Sequence, residues 1–418
     1  MSATRDILII GGGAIGLCSA YYLSRAGATV TVLDRGEMGH GSSLHNAGYI
    51  SPSHFVPLAA PGLFGQAMKW MLNGRSPFYI KPRLDKDLLA WGWRFWKSCD
   101  ERVARRAMPV LRDLLSDSSR LYEDLCRTEK INVGLTKQGL CILFASDAGR
   151  RSCEHEAELA HRIGVDATLL DREGLRAIDP AVDFRACGGI YFPGDSHLVP
   201  SLLVQEIAAL LERSGVRLLR NCAVRGFATS GATVTSVLTE GGELSATEFV
   251  LAGGAWTPAI SGELGVRLLL QAGKGYSITV RNPPLNVSHP YIFSERRVAV
   301  TPFVDSLRFA GTMELAGLDL SITMRRVEAI LDAIPLYFGN IAKPRAVDHE
   351  PWVGLRPVTP DGMPYLGRLK QFKNLLVATG HAMVGISLAP VTGKLVTEII
   401  QNNPTSHDLS LLDPNRFD

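Results

Sequence analysis

Short apolar runs separated by glycine turns open the chain. Asp6–Ile10 (DILII) contains β-branched residues throughout its apolar part, which is typical of a strand buried on both faces. The glycine-rich segment Gly11–Gly16 follows, then an apolar stretch that ends at Gly27, and then a second apolar run, Thr29–Leu33. This pattern predicts strand, turn, helix and strand, with Asp34 at the end of the second strand.

The glycine segment reads GGGAIG and matches G-x-G-x-x-G. In that pattern Gly11 permits a tight turn, Gly13 lets the backbone approach a pyrophosphate, and Gly16 lets helix and strand pack closely. The helix N-terminus offers free N–H groups and a positive dipole end to phosphates. Asp34 can accept hydrogen bonds from a ribose hydroxyl, which disfavours NADP but leaves NAD and FAD open. The contacts expected at this end are Gly11, Gly13, Ala14, Ile15, Gly16, Asp34 and Arg35.

Two later segments favour FAD over NAD. Glu248–Trp256 (EFVLAGGAW) is an apolar strand that runs into two glycines, as in a chain that leaves a nucleotide fold and returns to it. Near the C-terminus, Asn374–Thr379 predicts a strand, Gly380–Gly385 a loop and Ser387–Ile400 the final helix. Such a loop and helix can present N–H groups to the pyrimidine edge of a flavin and stabilise negative charge there. An NAD-dependent dehydrogenase remains the rival from another enzyme class.

Composition narrows the class of protein. The chain has 418 residues, of which 46% are hydrophobic and 20% charged, as expected for a globular protein of two domains. Its 44 basic and 41 acidic residues give a net charge of +3, too even to indicate a nucleic-acid partner. The seven cysteines form no CxxC pair, which favours reduced thiols in a cytoplasmic protein over a disulfide framework or a metal site.

Motifs from end to end of the chain point to one family. They are GGGAIG, SSLHNAGYISP from Ser42, KGYS from Lys274, FAGTMEL from Phe309, GLRPVTPDGMP from Gly354 and TGHAMVG from Thr379. In these motifs the chain resembles the D-amino-acid dehydrogenases, a family in the larger group of D-amino-acid oxidase, glycine oxidase and sarcosine oxidase. The resemblance implies an α/β fold, with a split Rossmann-like domain that binds FAD and a substrate domain built on a mainly antiparallel mixed sheet with helices. We expect residues 1–54, 188–266 and 345–418 in the FAD domain, and residues 55–187 and 267–344 in the substrate domain.

The resemblance also implies an activity. It is the oxidation of a D-amino acid by hydride transfer from Cα to flavin N5, with electrons passed to a quinone or another acceptor. Two alternatives remain: a glycine- or sarcosine-type amine oxidase that uses O₂, and an FAD-binding subunit of a larger dehydrogenase complex. Ile386 stands where the family commonly has a bulky ring, which leaves the substrate open and makes D-proline or D-hydroxyproline a candidate.

Four residues are candidates for substrate contact or catalysis. Arg356 is the expected clamp for the substrate carboxylate, because arginine grips carboxylates with two parallel hydrogen bonds; the alternative is a structural ion pair with Asp361 or Glu350. Tyr276 and Tyr49 could line the pocket or simply pack.

His45 is the fourth candidate. Relatives that oxidise dimethylglycine and sarcosine carry a histidine in a similar setting and bond it covalently to the flavin, whereas D-amino-acid dehydrogenases usually have a small residue there. Covalent attachment, a noncovalent contact and a surface position all remain open, and we expect noncovalent FAD. The remaining cofactor contacts expected are Ser42, Ser43, Asn46, Ala47, Gly48, Val224, Gly253, Gly380, His381, Val384, Gly385 and Ile386.

Two segments, Phe55–Met71 and Trp91–Trp96 (WGWRFW), are unusually apolar and aromatic. They could cover the active site as packed helices, or they could form a patch that touches the inner face of the cell membrane and passes electrons to quinone. Peripheral membrane contact therefore remains an option beside a purely cytoplasmic location.

Overall fold

The computed structural model describes residues 5–60, 65, 76–283, 287–345 and 349–418. Most of the predicted apolar segment after residue 60 lies outside these residues. The strands described are, in chain order, β1 (Asp6–Ile10), β2 (Thr29–Leu33), β3 (Tyr49–Ile50), β4 (Phe78–Ile80), β5 (Leu140–Phe144), β6 (Thr168–Asp171), β7 (Gly188–Phe192), β8 (Ser196–His197), β9 (Arg217–Leu219), β10 (Val224–Ser230), β11 (Thr233–Thr239), β12 (Gly242–Ser245), β13 (Glu248–Leu251), β14 (Gln271–Arg281), β15 (Tyr291–Phe293), β16 (Val298–Phe303), β17 (Ser306–Leu315), β18 (His349–Val358), β19 (Tyr365–Arg368) and β20 (Leu375–Thr379). The α-helices described are α1 (Ala14–Arg25), α2 (Lys86–Ser98), α3 (Glu101–Glu129), α4 (Asp147–Arg162), α5 (Arg172–Ile178), α6 (Pro200–Arg213), α7 (Thr257–Gly262), α8 (Met324–Leu331), α9 (Ile334–Tyr337) and α10 (Ala389–Gln401).

One sheet carries the predicted nucleotide fold. Its order is β19-β20-β13-β1-β2-β9, and every neighbouring pair is parallel except β19 with β20. Helices α1, α6 and α10 contribute to the core on one face, and the three-stranded sheet β10-β11-β12 contributes to the core on the other. The strands come from three separate parts of the chain, so the prediction of a split Rossmann-like unit is confirmed.

A second sheet has nine strands in the order β18-β14-β17-β16-β15-β5-β7-β6, with β4 beside β17. Its pairs are antiparallel apart from β15 with β5 and β4 with β17. This confirms the mainly antiparallel mixed sheet. Both β7 and β18 pair within it, although the expected division places residues 188–266 and 345–418 in the FAD domain. Hydrogen bonding thus favours boundaries after β7 and after β18, and the division into domains stays a proposal.

The helices α3 and α4 have side-chain caps at their N-termini. Asp100 precedes α3 and accepts a hydrogen bond from the N–H of Arg102 at 2.8 Å. Ser146 precedes α4 and accepts one from the N–H of Gly149 at 3.1 Å. Each cap satisfies a backbone donor that the helix leaves without an internal partner, so the helix start is fixed.

The aromatic segment WGWRFW lies in α2. Trp91 and Phe95 are buried and stacked with their ring centroids 4.9 Å apart, whereas Trp93 and Trp96 keep 55% and 49% of their surface exposed. The helix therefore packs with one face and shows tryptophan on the other, and membrane contact by that face stays a prediction. Among the helices that the structure describes, none has the length and apolar composition needed to cross a bilayer. All seven cysteines are free thiols.

Candidate active site

The glycine turn after β1 is closed so tightly that side chains do not fit. Gly11 has φ +116°, and a Cβ on it would lie 2.3 Å from the carbonyl oxygen of Ala252. A Cβ on Gly16 would lie 1.8 Å from the carbonyl oxygen of Gly11. Glycine at these two positions is thus required by the backbone itself, as the sequence predicts. Gly13 is less crowded, since a Cβ there meets only Ser43 Oγ, at 3.2 Å.

The start of α1 leaves donors for a phosphate. Within the described residues the N–H groups of Gly13, Ile15 and Gly16 have no acceptor, and the N–H of Ala14 donates to Ser43 Oγ at 3.0 Å. These donors converge at the positive end of the helix dipole, which is the arrangement that binds a pyrophosphate. The Ser43 hydroxyl keeps its own proton to donate. The predicted contacts at this turn therefore present the donors that an FAD pyrophosphate needs.

Asp34 shapes the turn from inside. Its Oδ2 accepts the N–H of Gly12 at 2.8 Å, and its Oδ1 accepts the N–H of Gly36 at 2.9 Å. Each carboxylate oxygen can accept a further hydrogen bond, so a ribose hydroxyl can still bind. The neighbouring Arg35 places its guanidinium 3.8 Å from the ring centroid of Trp256, and the two side chains form a flat cation–π pair near this end.

Four strands deliver their carboxyl ends to the same edge. Gly11 follows β1, Asp34 follows β2, Gly253 comes soon after β13, and Gly380 follows β20. In open α/β sheets ligands bind outside the carboxyl ends of the strands. The opening turn and the C-terminal loop, predicted to hold one nucleotide, thus meet at one edge. Val224 at the start of β10 packs against the core beside this edge.

A cavity of about 680 Å³ runs from this edge toward the second sheet. It is large enough for a flavin ring and a small substrate. The predicted cofactor contacts that line it are Ala14, Ser42, Ser43, Asn46, Ala47, Gly48, Val384, Gly385 and Ile386. The predicted contacts that do not line it are Gly11, Gly13, Ile15, Gly16, Asp34, Arg35, Val224, Gly253, Gly380 and His381. Most of these lie at or just after the carboxyl ends of β1, β2, β13 and β20.

The segment after Ser43 is held in place by its own and by neighbouring groups. Asn46 Nδ2 donates to the carbonyl of Ser42 at 3.0 Å, and Asn46 Oδ1 accepts the N–H of Gly48 at 2.8 Å. Arg308, which sequence reasoning missed, donates to the carbonyl of Asn46 at 2.8 Å, and burial lowers its pKa to about 10. The segment is therefore fixed before any ligand binds.

The hydroxyl of Tyr49 is used for packing within the protein. The hydroxyl lies 2.8 Å from the carbonyl oxygen of Tyr291 and 3.0 Å from that of Val300, so its proton is committed to the second sheet. Burial raises the pKa of Tyr49 above its usual range. Its ring borders the cavity, but its hydroxyl ties β3 to the sheet.

The loop after β20 has two parts: a buried residue that anchors it, and a segment that lines the cavity. His381 is buried, and its Nε2 lies 3.0 Å from Thr392 Oγ1 in α10. Burial lowers the pKa of His381 to about 3, so the ring is neutral. The loop backbone from 382 to 387 lines the cavity, and within the described residues the N–H groups of Gly385 and Ile386 have no acceptor. The backbone, rather than the predicted imidazole, faces the ligand.

The floor of the cavity is the second sheet, and its residues there are small. Across neighbouring strands they are Gly354, Gly275, Ser277, Ala310 and Ala299. The lining continues to Ile292 on β15 and Ile142 on β5. The floor thus spans six strands, or about 24 Å at the usual spacing. Small side chains here leave the space that a planar ring and a substrate fill.

Arg356 enters this floor from β18 and has no charged partner within the part of the chain that the structure describes. Its guanidinium lies over Gly275, where a Cβ would be 1.9 Å from Nη1, and Nη1 donates to the carbonyl of Thr312 at 2.9 Å. No carboxylate of the described residues lies within 4.0 Å of it. The predicted alternative partner Asp361 is paired instead with Arg416 at 2.7 Å. Burial lowers the pKa of Arg356 to about 10, and its role as a carboxylate clamp stays a prediction.

Tyr276 lies on the other side of the same strand. Because side chains alternate along β14, Gly275 and Ser277 face the cavity, and Tyr276 packs in the core with Ile278. Its hydroxyl donates to Glu314 Oε2 at 3.0 Å. Tyr276 is still one of the residues that line the cavity, but its hydroxyl is committed to Glu314 on β17.

His45 lines the cavity and is half-buried. Its ring centroid is 5.1 Å from that of Trp352. Burial lowers its pKa, and the positive charges of Arg308 and His40 lower it further. A neutral imidazole beside the flavin-binding segment fits a contact with the cofactor. It is not a surface histidine.

Sequence reasoning missed one group at the other end of the cavity: His54, Glu156 and Arg297 also line it. They come from a loop, from α4 and from the turn before β16. No motif joins them, so only the packing of the chain brings them together.

Comparison with known proteins decides the family. The family described as "DAO: FAD dependent oxidoreductase" matches residues 6–399. This chain belongs to it. FAD is therefore the cofactor of this oxidoreductase, in agreement with the donors at the start of α1 and the cavity beside them.

Relatives and solved structures agree with that assignment. A D-amino acid dehydrogenase of Vibrio vulnificus (strain CMCP6) is 32% identical over 421 residues, which cover 96% of this chain and 98% of the relative. One from Methylobacterium radiotolerans is 34% identical over 422 residues, which cover 97% and 98%. This FAD-dependent oxidoreductase also shares its fold with glycine oxidase from Geobacillus kaustophilus (TM-score 0.79, 22% identity, 99% of each chain). L-proline dehydrogenase from P. horikoshii is similar too (TM-score 0.75, 19% identity, 100% of this chain and 98% of that one).

Proposed function

We propose that this FAD-dependent oxidoreductase oxidises a D-amino acid or a cyclic D-imino acid and passes the electrons to a quinone or another acceptor rather than chiefly to O₂. The observation that carries the proposal is Arg356, a partly buried guanidinium on the floor of the proposed FAD cavity that has no carboxylate partner among the described residues. The names of the similar D-amino acid dehydrogenases support the substrate class.

The residues of the chain supply position and electrostatics. When bound, FAD would supply the acceptor for the hydride that leaves the substrate Cα. Arg356 holds the α-carboxylate by two parallel hydrogen bonds, which fixes the position and plane of one of the four substituents of Cα and so limits how Cα can face the flavin. The free N–H groups of Gly385 and Ile386, just before α10, are placed to stabilise negative charge on a bound anion or reduced ring. Trp91 and Phe95 add apolar surface to the lining of the cavity that also contains Arg356.

Anaerobic titration with paired D- and L-amino acids tests the proposal. We expect the flavin absorption band to bleach with at least one D-amino or D-imino acid and not with its L-enantiomer. Bleaching by L-amino acids alone, or by glycine and sarcosine alone, would contradict the assignment. A protein that binds FAD but is reduced by no amino acid would instead be a flavin-binding subunit.

The acceptor is tested separately. The reduced enzyme is mixed either with air-saturated buffer or with a soluble quinone, and reoxidation of the flavin is followed. We expect reoxidation by quinone to be at least tenfold faster than by O₂ at equal concentration. Fast reoxidation by O₂ with a stoichiometric yield of peroxide would favour the amine oxidase alternative.

A further inference from the structure

Two glycines on the cavity floor each leave room for the side chain of another residue. Gly275 on β14 pairs directly with Gly354 on β18, and both line the cavity. A Cβ on Gly275 would lie 1.9 Å from Nη1 of Arg356, and a Cβ on Gly354 would lie 2.2 Å from Cη2 of Trp352. A guanidinium and an indole therefore occupy the space that two opposite side chains would otherwise fill.

The guanidinium and the indole are close enough to contact one small substrate. Cβ atoms of directly opposite residues in an antiparallel pair are about 5 Å apart, so Nη1 of Arg356 and Cη2 of Trp352 are separated by no more than about 10 Å. A carboxylate oxygen lies about 2.8 Å from the guanidinium nitrogen that binds it. The Cα of a bound amino acid and the first carbons of its side chain then extend far enough to reach the indole.

Trp352 also adjoins the segment that is expected to contact FAD. Its ring centroid lies 5.1 Å from that of His45, and both residues line the cavity. A substrate that is anchored at Arg356 has to place its Cα near the flavin for hydride transfer. The indole has the carboxylate site on one side and the flavin-binding segment on the other, so it belongs to the part of the floor on which a reacting substrate lies.

The indole determines which side chains are stabilised there. Its face is a flat apolar surface, and covering it with aliphatic carbon removes apolar area of both partners from water. A charged or carboxamide side chain in the same place would lose hydrogen bonds to water, and the ring face would not replace them. The platform therefore suits aliphatic side chains, both open and cyclic.

From this arrangement we infer that the indole of Trp352 is the platform for the substrate side chain and favours aliphatic groups over short or charged ones. The inference rests on the proposed function and adds a specificity-determining residue to it. Arg356 binds the carboxylate that all amino acids share, and Trp352 contacts the part in which they differ.

Two carboxylates without an amino group test the contact in the absence of turnover: acetate, and 4-methylpentanoate, which has the carbon skeleton of leucine. Their binding is measured by the change that it causes in the flavin absorption band. We expect 4-methylpentanoate to bind the wild type at least about tenfold more tightly than acetate, because its isobutyl group is buried. Trp352→Ala should reduce this ratio at least about fivefold, and Trp352→Phe should retain most of it because it keeps a flat ring. The ratio of kcat/KM for D-leucine to that for D-alanine should change in the same direction.

The two glycines provide variants with different expected effects. Gly354→Ala places a methyl group where the ring lies, so it should lower the ratio as Trp352→Ala does. It should have little further effect in a Trp352→Ala background, because the ring is then gone. Gly275→Ala displaces the guanidinium instead, so it should weaken the binding of both carboxylates by a similar factor. Gly226→Ala on β10 is the matched control, since its Cβ meets only Leu238, at 3.6 Å, and Gly226 does not line the cavity.

Flavin content and melting temperature check the fold of each variant. If the wild type binds both carboxylates equally well, or if Trp352→Ala and Gly354→Ala both leave the ratio unchanged, the inference is overturned and the proposed function stands. A wild-type flavin that no D-amino or D-imino acid reduces overturns the proposed function, whatever the carboxylate affinities are.

Discussion

Replacing Arg356 by alanine separates substrate binding from folding. The guanidinium is partly buried where it lines the cavity, donates to the carbonyl of Thr312, and has no carboxylate among the described residues to neutralise it. Burying such a charge is unfavourable for the free protein, and it becomes favourable only when a substrate carboxylate arrives. The alanine variant should therefore fold at least as stably as the wild type and lose affinity for its substrate.

The expected loss of kcat/KM follows from the environment of the ion pair between Arg356 and the substrate carboxylate. Removing one partner of a buried, hydrogen-bonded charge pair costs about 3–5 kcal/mol. At about 1.4 kcal/mol for each factor of ten, kcat/KM should fall by about 10²–10⁴. Most of the loss should appear in KM, because the carboxylate is held in the ground state as well as in the transition state. Arg356→Lys keeps a charge but loses the planar pair of donors, so its kcat/KM should lie between that of the wild type and that of Arg356→Ala.

The assay is anaerobic stopped-flow reduction of the flavin at varied substrate concentration, with the melting temperature and the FAD content of each variant as controls. Unchanged kinetics in Arg356→Ala would remove this residue from the carboxylate site. A variant with much lower melting temperature would show instead that the arginine stabilises the fold, and the reasoning from an unpaired charge would be wrong.

Three further predictions concern the cofactor and the pH dependence. Gly13→Val should fold but purify colourless, because its methyl groups fill the phosphate cradle beside Ser43, whereas Gly16→Val should lower the melting temperature as well, since its Cβ meets backbone 1.8 Å away; a yellow Gly13→Val protein would contradict the cradle. Acid precipitation should release FAD into the supernatant, and flavin that stays in the pellet would show a covalent bond, with His45 as the first residue to map. Burial raises the pKa of Asp195 to about 7 from an ordinary 3.8, so its contribution to stability is complete below about pH 4 and is lost as pH rises through 7, by up to about 4 kcal/mol. Asp195→Asn should thus have a higher melting temperature than the wild type at pH 8 and the same melting temperature at pH 4. If the two melting temperatures differ by the same amount at both pH values, the predicted direction of the pH dependence is wrong.

The nucleotide-binding half was predictable because its signals are local. The strands Asp6–Ile10 and Thr29–Leu33 have the predicted bounds, and the glycines between them are required by contacts with nearby backbone. Asp34 was predicted from its spacing, but its bonds to the N–H groups of Gly12 and Gly36 were not, because they depend on how the turn folds back.

The substrate-binding half was less predictable because its features depend on tertiary packing. The sequence KGYS does not reveal which face of β14 meets the cavity, nor that the hydroxyl of Tyr276 donates to Glu314 on the neighbouring strand. The motif TGHAMVG predicts a ligand loop correctly in its backbone, but packing against α10 decides that His381 is an anchor. Glu156 and Arg297 lie more than a hundred residues apart, and no local pattern marks them as neighbours.

The two hydrogen bonds that Asp34 accepts have a consequence for the enzyme before FAD binds. A carboxylate that grips both sides of the phosphate turn holds it ready in the empty protein, so little chain entropy is lost when the nucleotide enters. The phosphate-binding turn therefore has its final shape in the enzyme without FAD. Stripped of its natural nucleotide, it should accept chemically altered flavins, and their redox potentials could be used to measure how the reaction rate depends on driving force.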